Sequence, residues 1–290
     1  MEIIKKETLI PKLQQGDKAY DYGVFDNLDK VSAQESIKQI LEYEEKFPYS
    51  NITKEIPHIK LDIPEFDHKR AKAELDEAIG SAFIPINMAT TAETIENGPN
   101  YHRHWGARAL VNYTPHSHLW FNKQSKECAT RDMPEYQPYA ASVIDTAPRL
   151  NLEDMQYYKT DLFDELPYIT KFIFDNICDT TYRAFIWKMG HDGYLNWHNH
   201  ARLPWHSDVI ANDKAIVHIP IVTDPKIKML VRMDDKTIYS EHYAKGNAYV
   251  FNNVKDHAVE NTTSIDRLHV ALYVPYHDEK FIKLLDKSVK

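Results

Sequence analysis

Two side chains able to bind a metal, His206 and Asp208, stand two residues apart in the stretch LPWHSDVIAND, residues 203–213. On an extended strand, positions i and i+2 point to the same side, so both groups can reach one point. Taken alone, the pair reads more simply as a surface histidine beside a turn aspartate. Its context is more specific. Of the 15 histidines, only His206 and His277 begin an H-x-D or H-x-E pair, and no histidine follows His277. His206 is followed by His257, and ten residues later by Arg267 at the start of an apolar stretch. Two neutral imidazoles and one carboxylate on one octahedral face suit Fe(II) and leave three positions open for small ligands. A cation one strand away suits the far carboxylate of a chelating co-substrate, because arginine pairs with carboxylates through a planar fork and keeps its charge when buried.

Such a set needs strands to hold it. From Tyr182 onward the chain reads as short runs rich in branched and aromatic residues: YRAFIWKM, AIVHIPIV, KMLVRM, KTIYSEHY, NAYVFNN and RLHVALYV. The turn signals GHDG, TDP, DD, KGN and NTTS separate them. Six or more short strands without helical insertions predict antiparallel sheets, as a sandwich or a jelly roll. Upstream, SAQESIKQILEYEEKF opens with a capping-box pattern at Ser32 and Glu35, and HKRAKAELDEAIGSAF ends near Gly80; both predict helices. GARALVNYT predicts a strand, NLEDMQYYKTDLFDEL a helix with an asparagine cap, and PYITKFIFDNIC another helix.

Composition removes several classes of function. The eight glycines include no two separated by a single residue, so no G-x-G-x-x-G loop exists; neither does a Walker loop or a G-x-S-x-G elbow. A net charge of −8 argues against a nucleic-acid partner. Apolar runs are too short for a membrane span, and the first residues lack the long apolar core of a secretory signal. Cys128 and Cys178 form neither a close metal pair nor a disulfide framework. A cytoplasmic location is expected.

HSD at 206–208, His257 and Arg267 together resemble the Fe(II)/2-oxoglutarate-dependent oxygenase superfamily. KGNAYVFNNVKDHAVEN resembles that family's turn, strand and second metal histidine. AIVHIPIVTD resembles the strand after H-x-D in the aspartyl/asparaginyl β-hydroxylase-like and proline hydroxylase-like branch. The resemblance spans roughly residues 182–276. It implies a mainly β fold with flanking helices around a double-stranded β-helix (a cupin-like jelly roll). A mixed, partly helical region over 1–100 would pack on an oxygenase core over 101–290, with a helical insertion near 151–178. The resemblance further implies that His206, Asp208 and His257 hold Fe(II), and that Arg267 and His218 bind 2-oxoglutarate. The implied reaction consumes dioxygen, converts 2-oxoglutarate to succinate and CO2, and hydroxylates a C–H bond of an amino acid or amino-acid-like substrate, small or peptidyl. Peptidyl hydroxylases of that branch often have glycine in place of Asp208, which puts this chain nearer the amino-acid hydroxylases. Asp208 also leaves no vacant position for a halide, as iron halogenases require. The branch's arginine shortly before the histidine is absent here.

Further candidates carry weaker signals. Trp105 and Arg108 lie in a segment dense in histidine, arginine and tryptophan; Arg183 opens the first strong strand; Asn196, Trp197 and Arg202 precede the metal pair. All six are candidate substrate contacts, against a plainer reading as packing or surface residues. His198 and His200 offer a rival metal set with Asp208 and His257. Two other functions stay open: a cupin-type metal enzyme that does not use 2-oxoglutarate, and a non-catalytic jelly-roll binding module.

Overall fold

The computed structural model describes residues 1–9, 13–14, 20–21, 38, 42, 45–48, 50–81, 83–85, 105–112, 158–191, 193–199, 202–203, 206–210, 214–234 and 236–290. At 20–21, 50–51, 54, 84–85, 105, 196, 202–203 and 206–210 the backbone alone is described. The expected helix around Ser32 and the segment 113–157 lie outside these residues.

In chain order the first half gives β1 (Glu2–Ile4), β2 (Tyr20–Asp21), α1 (Ser50–Glu55), β3 (His58–Lys60), α2 (His68–Ala78), β4 (Ile84–Pro85) and β5 (Trp105–Asn112). Next come β6 (Tyr158–Lys159), α3 (Pro167–Asn176), β7 (Arg183–Met189), β8 (Tyr194–Asn199), β9 (Arg202–Leu203), β10 (His206–Ile210) and β11 (Lys214–Val222). The chain closes with β12 (Lys228–Arg232), β13 (Ile238–Glu241), β14 (Tyr249–Phe251), β15 (Asp256–Glu260), β16 (Arg267–Pro275) and α4 (Glu279–Ser288).

One sheet runs β3-β14-β11-β16-β7-β5-β4, with β6 on the side of β5; the other runs β1-β13-β12-β15-β8-β2, and β9 pairs with β10 alone. From β7 on, the chain passes back and forth between the two large sheets. β7, β11, β14 and β16 enter one; β8, β12, β13 and β15 enter the other, all antiparallel to their neighbours within this set. This is a double-sheet jelly roll. β3 and β1, from the N-terminal region, extend the two sheets as added edge strands.

β16 shows why the sheet is stable. Its alternate residues Leu268, Val270, Leu272 and Val274 join a core made with Leu75 of α2, Phe172 and Ile173 of α3, and Phe281 and Leu285 of α4. Its other face sends Ala271 and Tyr273 between the sheets, among Phe185, Trp187, Ile216, Phe251, Met229, Val231 and Val259. A strand covered on both faces needs apolar residues at nearly every position, and RLHVALYVP has them except at Arg267 and His269. Those two exceptions face the barrel interior, on the side of Ala271.

Two of the helices that cover the sheet, α2 and α4, are capped by aspartates. The Asp67 carboxylate accepts from the backbone N–H groups of Lys69 and Arg70 at the start of α2. That helix stops at Gly80, whose φ of 52° suits a residue without a Cβ. Asp278 accepts from Phe281 N at the start of α4, and also from Asp179 N and Thr180 N before β7. One carboxylate thus ties the last helix to the entry of the barrel.

The helix expected over 151–166 is not found in the described part of that segment. Tyr158–Lys159 pairs with Asn112 and Val111 of β5, and residues 161–165 form turns. Thr160 Oγ1 donates to Ala109 O, completing the edge pairing. Sheet hydrogen bonds here override a helix-like pattern. The helix of this region begins only at Pro167, whose ring suits the first turn. Among the described residues, no helix is long and apolar enough to cross a membrane.

Candidate active site

Three segments meet at one mouth of the barrel. β11 starts with Lys214 opposite Pro275, and the Lys214 carbonyl accepts from Asn253 Nδ2 at 3.2 Å, in the turn leading to β15. Near the end of β8, His198 stands opposite His257, and Asn199 Nδ2 donates to Asp256 Oδ1 at 3.0 Å. β10 lies in the connection between β8 and β11, which tethers it to this mouth from both sides. It carries His206 and Asp208 at i and i+2, with a register irregularity against β9. Their side chains lie outside the described residues.

His257 occupies the second position of β15 and is 1% exposed. Its ring lies 4.5 Å from Phe251, which faces the barrel interior, and 4.1 Å from the ring of His198. Nδ1 is 2.8 Å from the Lys255 carbonyl oxygen. A carbonyl only accepts, so the proton sits on Nδ1 and the Nε2 lone pair is left for coordination. Metal-bound histidines commonly have their second nitrogen held in this way.

Deeper in the barrel lies Arg267, 3% exposed and opposite Met189 of β7. Among the described residues no acid pairs with it, and no side chain or carbonyl accepts its hydrogen bonds. Burial lowers its pKa to about 10, so it stays a cation at neutral pH. Its charge is felt by His218, His269 and Tyr243. The imidazoles of His218 and His269 stack at 4.8 Å and 11°. Burial first, and the Arg267 charge second, hold both well below the ordinary histidine pKa, so both are neutral. Each has a buried Nδ1 without a hydrogen-bond partner among the described residues. Tyr243 stacks on Tyr249 at 4.3 Å, and its hydroxyl lies 2.8 Å from His58 Nδ1.

The arrangement is a buried guanidinium ringed by neutral donors, with no anion of its own among the described residues. Leaving a charge in such a place costs several kcal/mol unless a counter-ion arrives. A carboxylate ligand is the chemistry it fits. The socket also lies within reach of the mouth. Tyr249 is level with His218, while Phe251, touching His257, stands two residues or about 7 Å nearer the mouth.

The other expected residues scatter. Arg183 shares the inner face of β7 with Phe185, at the mouth end, with its guanidinium 5.0 Å from that ring. Arg108 stands opposite Ile186, whose side chain belongs to the helix-covered core, so it faces away from the barrel interior. Trp197 is fully buried on the far side of the second sheet. There its Nε1 donates to Leu13 O at 2.9 Å and Arg232 lies over its ring at 4.2 Å. Neither Arg108 nor Trp197 thus faces the barrel interior. Trp105 is opposite Met189; its side chain, and those of Asn196 and Arg202, lie outside the described residues, as does His200.

His269, Tyr243 and His58 were not expected from sequence. His269 had a usable signal, standing two residues after Arg267 on a strand and so on the same face. Tyr243, in the connection after β13, and His58, about two hundred residues from Arg267, had none. Among the described residues, no group of three or more His, Cys, Asp or Glu side chains is close enough to hold a metal.

No protein-family model matches the chain, and no curated protein does. Solved structures give faint likenesses. A 2OG-Fe(II) oxygenase family oxidoreductase from Burkholderia pseudomallei is 12% identical, with 79% of this chain and 90% of that one covered and a TM-score of 0.40. The viral collagen prolyl hydroxylase of Paramecium bursaria Chlorella virus-1 is 7% identical over 77% and 98%, with a TM-score of 0.37. A cupin domain from Bordetella pertussis Tohama I is 16% identical over 32% and 79%, with a TM-score of 0.24. Likenesses this faint assign no activity.

Proposed function

We propose that the chain is a mononuclear Fe(II), 2-oxoglutarate-dependent dioxygenase that hydroxylates an amino acid or amino-acid-like group. The observation that carries this reading is Arg267: a buried cation without a described acid, on the strand that follows His257. His206, Asp208 and His257 would hold the iron at the mouth, with the His257 tautomer set by the Lys255 carbonyl. When bound, the iron supplies the activation of dioxygen and the oxidation of the keto acid that yields succinate and CO2. Arg267 pairs with the far carboxylate of the co-substrate, and His218 and His269 offer neutral nitrogens beside it. Phe251, Trp187 and Met189 exclude water from the space between. Arg183, on the inner face at the mouth, is the candidate for a substrate carboxylate.

The test is spectroscopic. Anaerobic protein given Fe(II) and 2-oxoglutarate should show the weak visible charge-transfer band of the chelate. With air and a substrate screen it should form succinate and a product 16 mass units heavier. Absence of the band in the wild type defeats the reading. A cupin enzyme that does not use 2-oxoglutarate would bind metal without that band.

A further inference from the structure

β8 carries one residue more than the strand it pairs with. Leu195 stands opposite Val259 and His198 opposite His257, so three steps on β8 match two on β15 and the register shifts between them. This is a β-bulge, which re-aims the side chains beyond it. Leu195 faces between the sheets, and regular alternation would send Trp197 there too. Instead Trp197 packs on the outer face with Leu13, Leu230 and Ala258, and His198 turns inward. Its ring meets that of His257 at 4.1 Å, and Phe251 touches the same His257 ring at 4.5 Å.

The outer face holds this bulge in place. Trp197 Nε1 donates to Leu13 O, and the Arg232 guanidinium of β12 lies 4.2 Å over the indole. Arg232 Nη1 is also 3.8 Å from the Asp256 carboxylate, which accepts from Asn199 Nδ2. Trp197 and Asn199 flank His198 in sequence, and Asp256 precedes His257. Both ions are largely buried, at 14% and 17% side-chain exposure, where charge interactions are stronger than in open water. The N-terminal chain adds a last layer. β1 pairs with β13 at one edge of the sheet, Leu9 and Leu13 pack on its outer face, and β2 runs beside β8 with Tyr20 paired to His198.

We propose that Trp197, Arg232 and Asp256 form a positioning clamp for the metal centre: they lock the β8 bulge from outside, so that the His198 imidazole presses on His257 and fixes the orientation of that ligand. His198 is itself a positioning residue. A ring held only by its Nδ1 bond to the Lys255 carbonyl can pivot about that bond, and a second ring packed against it removes the freedom. Groups that orient a metal ligand set the affinity of the site almost as the ligands do. The inference rests on the metal-binding part of the proposed function and extends it to the N-terminal chain, whose Leu13 carbonyl anchors the indole.

The experiment is anaerobic titration of full-length protein with Co(II), read by the visible absorption of the bound ion, with the metal-free melting temperature recorded for each variant. Arg232→Gln, Trp197→Phe and His198→Ala are each expected to weaken Co(II) about tenfold and to shift its visible bands. His198→Phe, which keeps a ring against His257, should bind close to wild type. Asp278→Ala, whose cap lies on the helix-covered side of the other sheet, should melt earlier with Co(II) affinity unchanged. Wild-type Co(II) binding in both Arg232→Gln and His198→Ala overturns the inference. So does an equal loss in Asp278→Ala, which would trace the effect to general stability. Equal losses in His198→Phe and His198→Ala overturn it by making His198 a ligand in its own right. Wild type that binds no Co(II) overturns the proposed function and this inference together. Wild type that binds Co(II) but shows no band with Fe(II) and 2-oxoglutarate overturns the proposed function alone. If Arg232→Gln fails to fold, Trp197→Phe decides in its place.

Discussion

Arg267 shows how one side chain can declare the chemistry of a pocket. Buried among neutral rings with no acid among the described residues, it is suited to an anionic ligand. Replacing it with glutamine should raise the KM for 2-oxoglutarate at least a hundredfold with a smaller change in kcat, read by succinate formation. In a cupin enzyme of other chemistry the same change would do little. The imidazoles around it add a pH signature. His58 is lowered from 6.5 to about 4, and His218 and His269 are lowered well below 6.5, all chiefly by burial. Between those folded values and 6.5 the unfolded chain binds more protons than the folded one, so stability rises with pH across that window. Acidification from pH 6.5 toward 4 should therefore lower the melting temperature, whereas these groups add no pH dependence above about pH 7.5. A His218→Phe/His269→Phe double variant should flatten that slope, as measured by thermal melts in a pH series.

At the scale of elements, β16 and α4 carry the most. β16 buries both faces and holds Arg267 and His269, so its rigidity is shared by core and pocket. The Asp278 carboxylate joins α4 to the backbone before β7 through three N–H groups. Asp278→Ala should cost about 2 kcal/mol by the loss of a helix cap and its companion bonds, seen as a lower urea midpoint with the anaerobic band intact. Some elements were easy to foresee and others were not. α2, α3, β7, β11, β12, β14 and β16 follow from local pattern, because apolar periodicity and caps act within a few residues. β8 and β15 did not stand out, since YLNWHN and DHAVE are short and mix polar with apolar residues without a regular alternation. The 151–166 segment misled for the opposite reason: its helix-like pattern gives way to pairing with β5, which only a distant strand can offer.

For the whole molecule, the two sheets close around a mostly apolar interior in which Arg267, His218, His269 and His257 are embedded, and the proposed ligands of those groups should act as staples. Metal and 2-oxoglutarate at a hundred times their Kd should each add about 2.7 kcal/mol. That amounts to a rise of roughly 5 °C in melting temperature for each, reversed by chelator. Asp208→Ala should remove the metal-dependent part and the visible band together.

The residue order H-x-D, His, Arg and the run of short strands needed no coordinates, because hydrophobic alternation and the donor chemistry of single side chains are local properties. They were enough to name a jelly roll and to propose a type of centre. What the tertiary structure decided is which distant groups share a space. It turned Trp197 and Arg108 away from the barrel, added His269, Tyr243 and His58 to the pocket, and left Arg267 buried without a described counter-ion. Side-chain direction across paired strands and the desolvation of a charge depend on neighbours tens to hundreds of residues away, and those neighbours exist only once the sheets have closed.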